Sequence, residues 1–107
     1  PDHGPRAAEF ARELRGWLFD LSDPKFQILY RACHGHTHER THPDITVRTC
    51  WDADRLDLGR VGVTPHPAYL GTDAAKRPET IRWADGRASM GYVPPILGEE
   101  WGIELTL

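Results

Sequence analysis

Through about the first sixty residues, apolar side chains recur every three or four positions, and this spacing constrains the fold more than any other feature. It is the period of an α-helix that buries one face. The same stretch has neither the alternating pattern of half-buried strands nor the turn sequences of hairpins. An all-α fold is therefore predicted. With 107 residues, the chain corresponds to one domain or to part of one.

Three helices are predicted in this stretch, each bounded by a proline or by polar residues. The first covers about Gly4–Leu21, the second about Pro24–His36 and the third about Ile45–Arg60, with Asp44 as the cap of the third. The side chains expected in the core are those on the inner helix faces. They are Ala7, Phe10, Ala11, Leu14, Trp17, Leu18, Leu21, Phe26, Leu29, Tyr30, Cys33, Val47, Cys50, Trp51, Leu58, Val61 and Trp83.

The remainder of the chain is less regular. Thr72 is expected to cap a short segment that begins at Asp73, and Pro78 separates this segment from a second short helix. After that helix, glycines, two adjacent prolines and scattered apolar residues predict an extended tail that packs on the domain or on a partner. The predicted organisation is a helical domain over residues 1–85 and an irregular tail over residues 86–107.

The composition limits the partners. The net charge is −3 and only two of the 13 basic residues are lysines, which argues against a nucleic-acid polymer held by a basic surface. No apolar run approaches the roughly 20 residues of a membrane helix and no signal peptide is recognisable, so a cytoplasmic protein is predicted. Cys33 and Cys50 are expected to be reduced and buried, with a bridge between them as the alternative.

One acidic residue stands among the apolar positions of the third helix. Counted from Val47, Asp54 falls on the same face as Trp51 and Leu58. A buried carboxylate is costly unless it is paired, hydrogen-bonded or bound to a metal. Asp54 is therefore a candidate metal ligand. The alternative is that it caps another helix or meets an arginine across the core.

Histidines are concentrated near this position. His34, His36, His38 and His42 fall within nine residues, and His36 extends the apolar stripe of the second helix, which should pack antiparallel to the third. His3 precedes the first helix and could enter the same space. Imidazole and carboxylate groups together suit divalent Mn, Fe, Zn or Mg. For each histidine taken alone, an ordinary core position is the alternative.

Three segments resemble the HD-domain metal-dependent phosphohydrolases. The segment Asp52–Asp57, which reads Asp-Ala-Asp-Arg-Leu-Asp, resembles the last motif of that superfamily, in which a helix carrying Ala-Asp-Arg-Leu supplies the final Asp ligand. The pair His3-Gly4 resembles a helix start, and Ala32–Thr37 resembles a helix end, of its multinuclear members. Cys50–Lys76 is also similar to bacterial HD-type proteins without an assigned substrate. The resemblance spans roughly residues 3–76.

This resemblance implies an HD-type helical bundle and the hydrolysis of a phosphomonoester or phosphodiester by a metal-activated water. Asp54 would be a metal ligand and catalytic residue, with His36 or His34 and His3 on a second metal. The cofactor would be Mn, Mg, Fe or Zn, and the substrate a phosphorylated small molecule or a nucleotide. An alternative helix register would put Asp52 in the place of Asp54.

Other charged residues near the motif receive supporting roles. Arg55 and Asp57 are expected to orient neighbours or to form ion pairs. Arg48 or Arg60 could meet a phosphate, with a solvated surface charge as the alternative for each.

The chain departs from the family pattern at its start. The earlier His and the His-Asp dyad of the superfamily do not occur, and the sequence begins at Pro1 without a methionine. The expectation is that the missing half lies upstream, in a second chain or in another copy of a homo-oligomer. A non-catalytic interaction or assembly module with an apolar tail is the first alternative. The second is a small structural zinc domain, whose ligands would be Cys33, His36, His38, His42 and Cys50.

Overall fold

The computed structural model describes residues 2–103. Within this range the chain forms helices and no β-strand, which confirms the all-α class. The α-helices are α1 His3–Leu14, α2 Asp23–Gly35, α3 Ile45–Leu56, α4 Asp73–Lys76, α5 Pro78–Ser89 and α6 Pro95–Glu99. Two short 3₁₀ helices, Leu58–Val61 and Pro67–Tyr69, lie between α3 and α4. No helix in the described range is long and apolar enough to cross a membrane.

Side-chain caps fix the starts of two helices where the sequence predicts them. The Asp44 carboxylate accepts hydrogen bonds from the backbone N–H groups of Thr46 at 2.7 Å and Val47 at 3.3 Å, and so begins α3. The Thr72 hydroxyl accepts one from the Ala75 N–H at 3.2 Å and begins α4. Both satisfy N–H groups that a first helical turn leaves without partners. The predictions for these two caps are confirmed.

Helix α1 is shorter than predicted. It ends at Leu14, because Gly16 adopts a left-handed φ of +96° and its N–H donates to the Phe19 carbonyl at 2.7 Å. This turn needs a glycine, since a Cβ is disfavoured at positive φ. It directs two large side chains away from the core, and Trp17 is 70% and Leu18 62% exposed. The prediction of a helix through residue 21, with both side chains buried, is wrong.

Helix α1 also buries a different face from the one expected. Its buried residues are Gly4 and Ala8, whereas Phe10 on the predicted face is 58% exposed. Gly4 lies directly against α2, where an added Cβ would come within 2.6 Å of the His34 carbonyl oxygen and 3.0 Å of the Cys33 carbonyl oxygen. Small residues thus allow the two helix backbones to approach closely.

We expect Gly4→Ala to lower the free energy of unfolding by about 1–3 kcal/mol, because the new methyl group meets backbone atoms that cannot rotate away. Urea unfolding followed by circular dichroism measures this change. Gly86→Ala is the matched control, since its Cβ would meet nothing within 4 Å and alanine favours the helix by up to about 1 kcal/mol. Equal stability of Gly4→Ala and the unmodified protein would contradict the close packing of α1 on α2.

The core lies between α2, α3 and the segments that follow α3. Trp51 and Val47 are the largest fully buried side chains, and the Trp51 indole N–H donates to the Ala32 carbonyl at 2.9 Å. A second cluster beyond α3 is formed by apolar side chains of the 67–81 region, namely Leu70, Ala75 and Ile81, with Leu56 packed against it.

Besides Phe10, Trp17 and Leu18, four further side chains predicted in the core are exposed, namely Ala7 on α1 and Cys50, Val61 and Trp83 beyond it. The α-helical geometry of α3 ends at Leu56 and a 3₁₀ helix follows, so the helical count that placed Val61 on the inner face no longer applies. Val61 is 64% and Trp83 62% exposed. The prediction of burial is wrong for all four.

The C-terminal region is more helical than the extended tail that the sequence predicts. Residues 86–89 of this segment form the end of α5, and Pro95–Glu99 form α6. Its apolar side chains remain accessible, with Ile96 42% and Trp101 63% exposed. Such exposure is compatible with the predicted assembly role, which stays a prediction. The last four positions of the predicted tail, 104–107, lie outside the described residues.

Candidate functional site

The buried acid of α3 is Asp52 and not Asp54. Asp52 is only 3% exposed, and its two carboxylate oxygens accept the Gly71 N–H at 2.7 Å, the Thr72 N–H at 2.8 Å and the Thr72 hydroxyl at 2.7 Å. These three donors offset the cost of burying the charge. Asp52 therefore holds the residue that caps α4. Asp54 is exposed, and the expectation that it lies in the core is wrong.

Asp54 instead opens onto a cavity that also contains two of the predicted histidines. The cavity has a volume of about 400 Å³. Its polar walls are formed by His3, His36, Thr37, Asp54, Arg55, Arg60 and Tyr69. Three of the four residues that the sequence predicts as metal ligands, His3, His36 and Asp54, therefore line the same cavity. His3 and Asp54 are 51 positions apart in the sequence.

The two histidines of the cavity meet through their ring nitrogens. The Nε2 atoms of His3 and His36 are 3.1 Å apart, and the rings cross at 66°. The Thr37 hydroxyl oxygen lies 2.8 Å from the same His3 Nε2. The Nδ1 atom of His36 donates to the Cys33 carbonyl at 2.7 Å, since a carbonyl oxygen can only accept. In the neutral ring, the His36 Nε2 therefore presents a lone pair to His3.

The positions of these rings follow from the packing of α1 on α2. His3 is the first residue of α1 and His36 is the residue that ends α2. The close contact between Gly4 and the His34 carbonyl oxygen brings the start of one helix against the end of the other. Thr37 follows directly in sequence. Its hydroxyl was not predicted as a site residue, although it belongs to the segment Ala32–Thr37.

Arg55 lines the cavity and organises the backbone around it. Its guanidinium donates to four carbonyl oxygens, those of His36 at 3.4 Å, Arg40 at 3.3 Å and Tyr69 at 3.2 Å, and that of Glu39. It thereby ties the turn after α2 to the segment before α4. An arginine with several donors in a fixed plane suits such a role. The predicted orienting function of Arg55 agrees with these contacts.

Asp57 and Arg60 form the predicted kind of ion pair, with 3.2 Å between the Arg60 guanidinium and the Asp57 carboxylate. Both side chains are about half exposed, so the pair contributes at most about 1 kcal/mol to stability. Arg60 is therefore held at the rim of the cavity without being buried there. Arg48 instead donates to the Gly71 carbonyl at 3.2 Å and lies outside the cavity walls.

His34 occupies a different environment from the histidine pair. Its ring stacks on the Tyr30 ring, with 5.9 Å between centroids, and it does not line the cavity. Its role as a metal ligand stays a prediction. Tyr30 in turn donates to the Glu9 carboxylate at 2.6 Å, and this hydrogen bond raises the pKa of Tyr30.

The residues of the zinc alternative do not converge. Cys50 is exposed, and the His42 Nδ1 accepts the Asp44 N–H at 3.0 Å. Cys33 is half-buried, and burial, with a smaller contribution from Cys50, raises the pKa of the Cys33 thiol.

The donor types in the cavity fit a divalent metal, but the shell is incomplete. Two imidazoles and a carboxylate are ligands that Mn, Fe and Zn accept. Over residues 2–103, however, no group of three or more His, Cys, Asp or Glu side chains could hold a metal ion. A metal here would need further ligands. In comparisons with protein-family models, curated proteins and solved structures, no match to this chain was found.

Proposed function

We propose that the cavity shared by His3, His36 and Asp54 is part of the active site of an HD-type metal-dependent phosphohydrolase. The observation that carries this proposal is the pair of Nε2 atoms 3.1 Å apart. In one neutral tautomer of His3 its Nε2–H donates to the His36 Nε2 lone pair; in the other, both Nε2 atoms carry lone pairs and are close enough to bind one metal ion together.

The hydrogen bonds around His36 favour a metal-binding orientation. A histidine ligand commonly donates its second ring N–H to a backbone carbonyl, which fixes the ring and leaves the other nitrogen free. His36 has this arrangement through Cys33. The Thr37 hydroxyl can donate to the His3 Nε2 and so hold the His3 ring in place.

The exposed Asp54 carboxylate is accessible from the cavity, which suits a metal ligand better than a buried carboxylate would. Within the described part of the chain, no hydrogen bond or ion pair occupies the Asp54 carboxylate. A carboxylate with both oxygens free can bind a cation, whereas that of Asp52 is already saturated by three donors. The resemblance of the Ala-Asp-Arg-Leu segment also points to Asp54.

The proposed reaction is the hydrolysis of a phosphomonoester or phosphodiester. When bound, a divalent metal supplies an activated water and offsets the charge on the phosphoryl oxygens. Asp54 would be a ligand of one metal and His3 and His36 would be ligands of a second, each with further ligands, and Arg60 at the cavity rim can donate to a phosphoryl oxygen. The remaining ligands would come from a segment outside the described residues or from a second chain.

Mn²⁺ binding tests the histidine pair. We expect His3→Ala and His36→Ala each to weaken Mn²⁺ binding at least about tenfold in isothermal titration calorimetry, because each removes one converging nitrogen. His34→Ala should leave the affinity unchanged, since its ring stacks on Tyr30.

His66→Asn controls for the possibility that the loss of any exposed histidine weakens Mn²⁺ binding. His66 is exposed, does not line this cavity, and accepts the Ala68 N–H at 3.0 Å, which an asparagine oxygen can also accept. Unchanged Mn²⁺ affinity in both His3→Ala and His36→Ala would exclude the histidine pair as a metal site.

A further inference from the structure

Helix α1 exposes the apolar face that lies opposite its contact with α2. Gly4 and Ala8 form the buried side of the helix, whereas the Phe10 ring on the other side is exposed. Trp17, three positions beyond the helix end, extends this surface, because its indole N–H donates to the Glu13 carbonyl at 3.0 Å. Two large aromatic side chains on an ordered helix are typical of an interaction surface.

A shallow groove of about 640 Å³ follows this face of α1 and carries an unpaired charge of each sign. Phe10 lines it near the middle of the helix, with Arg6 and Glu13 before and after it in the sequence. Within residues 2–103, neither the Arg6 guanidinium nor the Glu13 carboxylate has a hydrogen bond or an ion pair. Glu9, in contrast, is already paired with Arg12 at 3.3 Å.

The positions of the two unpaired charges match those of a second, antiparallel copy of α1. Arg6 and Glu13 are seven positions apart, about two helical turns, and therefore lie on the same flank of the helix. In an antiparallel pair of α1 helices related by a two-fold axis, Arg6 of each copy faces Glu13 of the other, and Phe10 lies beside the axis. A parallel pair would instead bring like charges together.

We propose that the chain forms a homodimer in which this face of α1 packs antiparallel against the same face of a second copy. Phe10 supplies the apolar centre of the interface. Two ion pairs between Arg6 and Glu13 fix the direction of the helices. The dimer requires neither a bound metal nor turnover of a substrate.

The size of the surface fits a weak dimer. Helix α1 has 12 residues and is about 18 Å long. Phe10, Trp17 and Leu18 are each more than half exposed. With their neighbours, these side chains of both copies would remove roughly 1,000 Å² from water, near the lower limit for a specific interface. We therefore expect a Kd on the order of 10 µM.

Sedimentation equilibrium of the protein at concentrations up to about 1 mM measures this association. Phe10→Ala should weaken the dimer at least about tenfold, because aromatic residues near the centre of an interface carry much of the binding energy. Trp101→Ala is the control, since Trp101 is 63% exposed and does not line the groove. The mass of a single chain at every concentration, or equal weakening by both substitutions, would overturn the proposal.

Two charge reversals test the antiparallel direction. Arg6→Glu or Glu13→Arg alone places like charges opposite each other at both ends of the interface, and each should weaken the dimer at least about tenfold. An equimolar mixture of the two variants should associate like the unmodified protein, because every charge then faces an opposite one. Arg82→Glu, which changes an exposed cation outside the groove, controls for the altered net charge. A mixture that stays monomeric, or a dimer that neither reversal weakens, would overturn the antiparallel pairing.

Discussion

Asp52→Ala is expected to lower the free energy of unfolding by about 3 kcal/mol, the largest stability change expected for a single substitution here. The carboxylate joins α3 to the start of α4 through three hydrogen bonds. Truncation leaves the N–H groups of Gly71 and Thr72 without their acceptor in a partly buried place. For a domain of this size, the melting temperature should fall by about 10 °C or more.

Urea and thermal unfolding of Asp52→Ala measure this effect, with Asp54→Ala as the control on the same helix. Asp54 is exposed, so its removal should change the free energy of unfolding by less than about 0.5 kcal/mol. Asp52→Asn should be intermediate, because one amide oxygen can still accept while the amide N–H₂ faces a donor. If Asp54→Ala proved as destabilising as Asp52→Ala, the assignment of Asp52 as the buried link would be wrong.

The elements that could be predicted from the sequence are those fixed by local contacts. Asp44 and Thr72 cap α3 and α4 as expected, because a capping side chain bonds to N–H groups two or three positions away. The end of α1 could not be predicted from the helical spacing, since Trp17 and Leu18 continue that spacing. The backbone of Gly16 departs from the helix first.

The acidic residue of the core was assigned to the wrong position for a similar reason. Helical spacing puts Asp54 on the predicted apolar face, because it follows Val47 by seven positions and Trp51 by three. The structure ends α3 at Leu56, and the buried positions of the shorter helix are Val47, Trp51 and Asp52. Burial of Asp52 depends on donors from residues 71 and 72, which are distant in the sequence.

The grouping of His36 and Asp54 could be anticipated from the stripes of two antiparallel helices, and the resemblance to HD-domain proteins indicates the same residues together with His3. The contact of His3 with His36 could not be predicted from helical spacing, because it depends on the fit of Gly4 against the His34 carbonyl oxygen. A glycine in a helix is unfavourable by propensity alone, so its packing role is not evident from the sequence. The exposure of Trp83 could likewise not be predicted, since an apolar residue at helical spacing is normally assigned to the core.

Asp54→Asn is expected to reduce Mn²⁺-dependent phosphate release at least about a hundredfold, because changes in the partners of metal ligands alone cost up to that factor. The substitution keeps the size of the side chain and removes the charge. Helix content by circular dichroism should not change, since no described residue depends on the Asp54 carboxylate for a hydrogen bond. Activity is measured with bis(4-nitrophenyl) phosphate and 4-nitrophenyl phosphate.

Asp73→Asn controls for the loss of one negative charge, because Asp73 is exposed at the start of α4 and does not line the cavity that contains Asp54. It should retain full activity. If Asp54→Asn were fully active with an unchanged metal content, Asp54 would not be a ligand. Asp52→Asn tests whether Asp52 or Asp54 is the metal ligand of the motif. If this variant is less stable but equally active per folded molecule, Asp52 has the structural role and Asp54 the catalytic one.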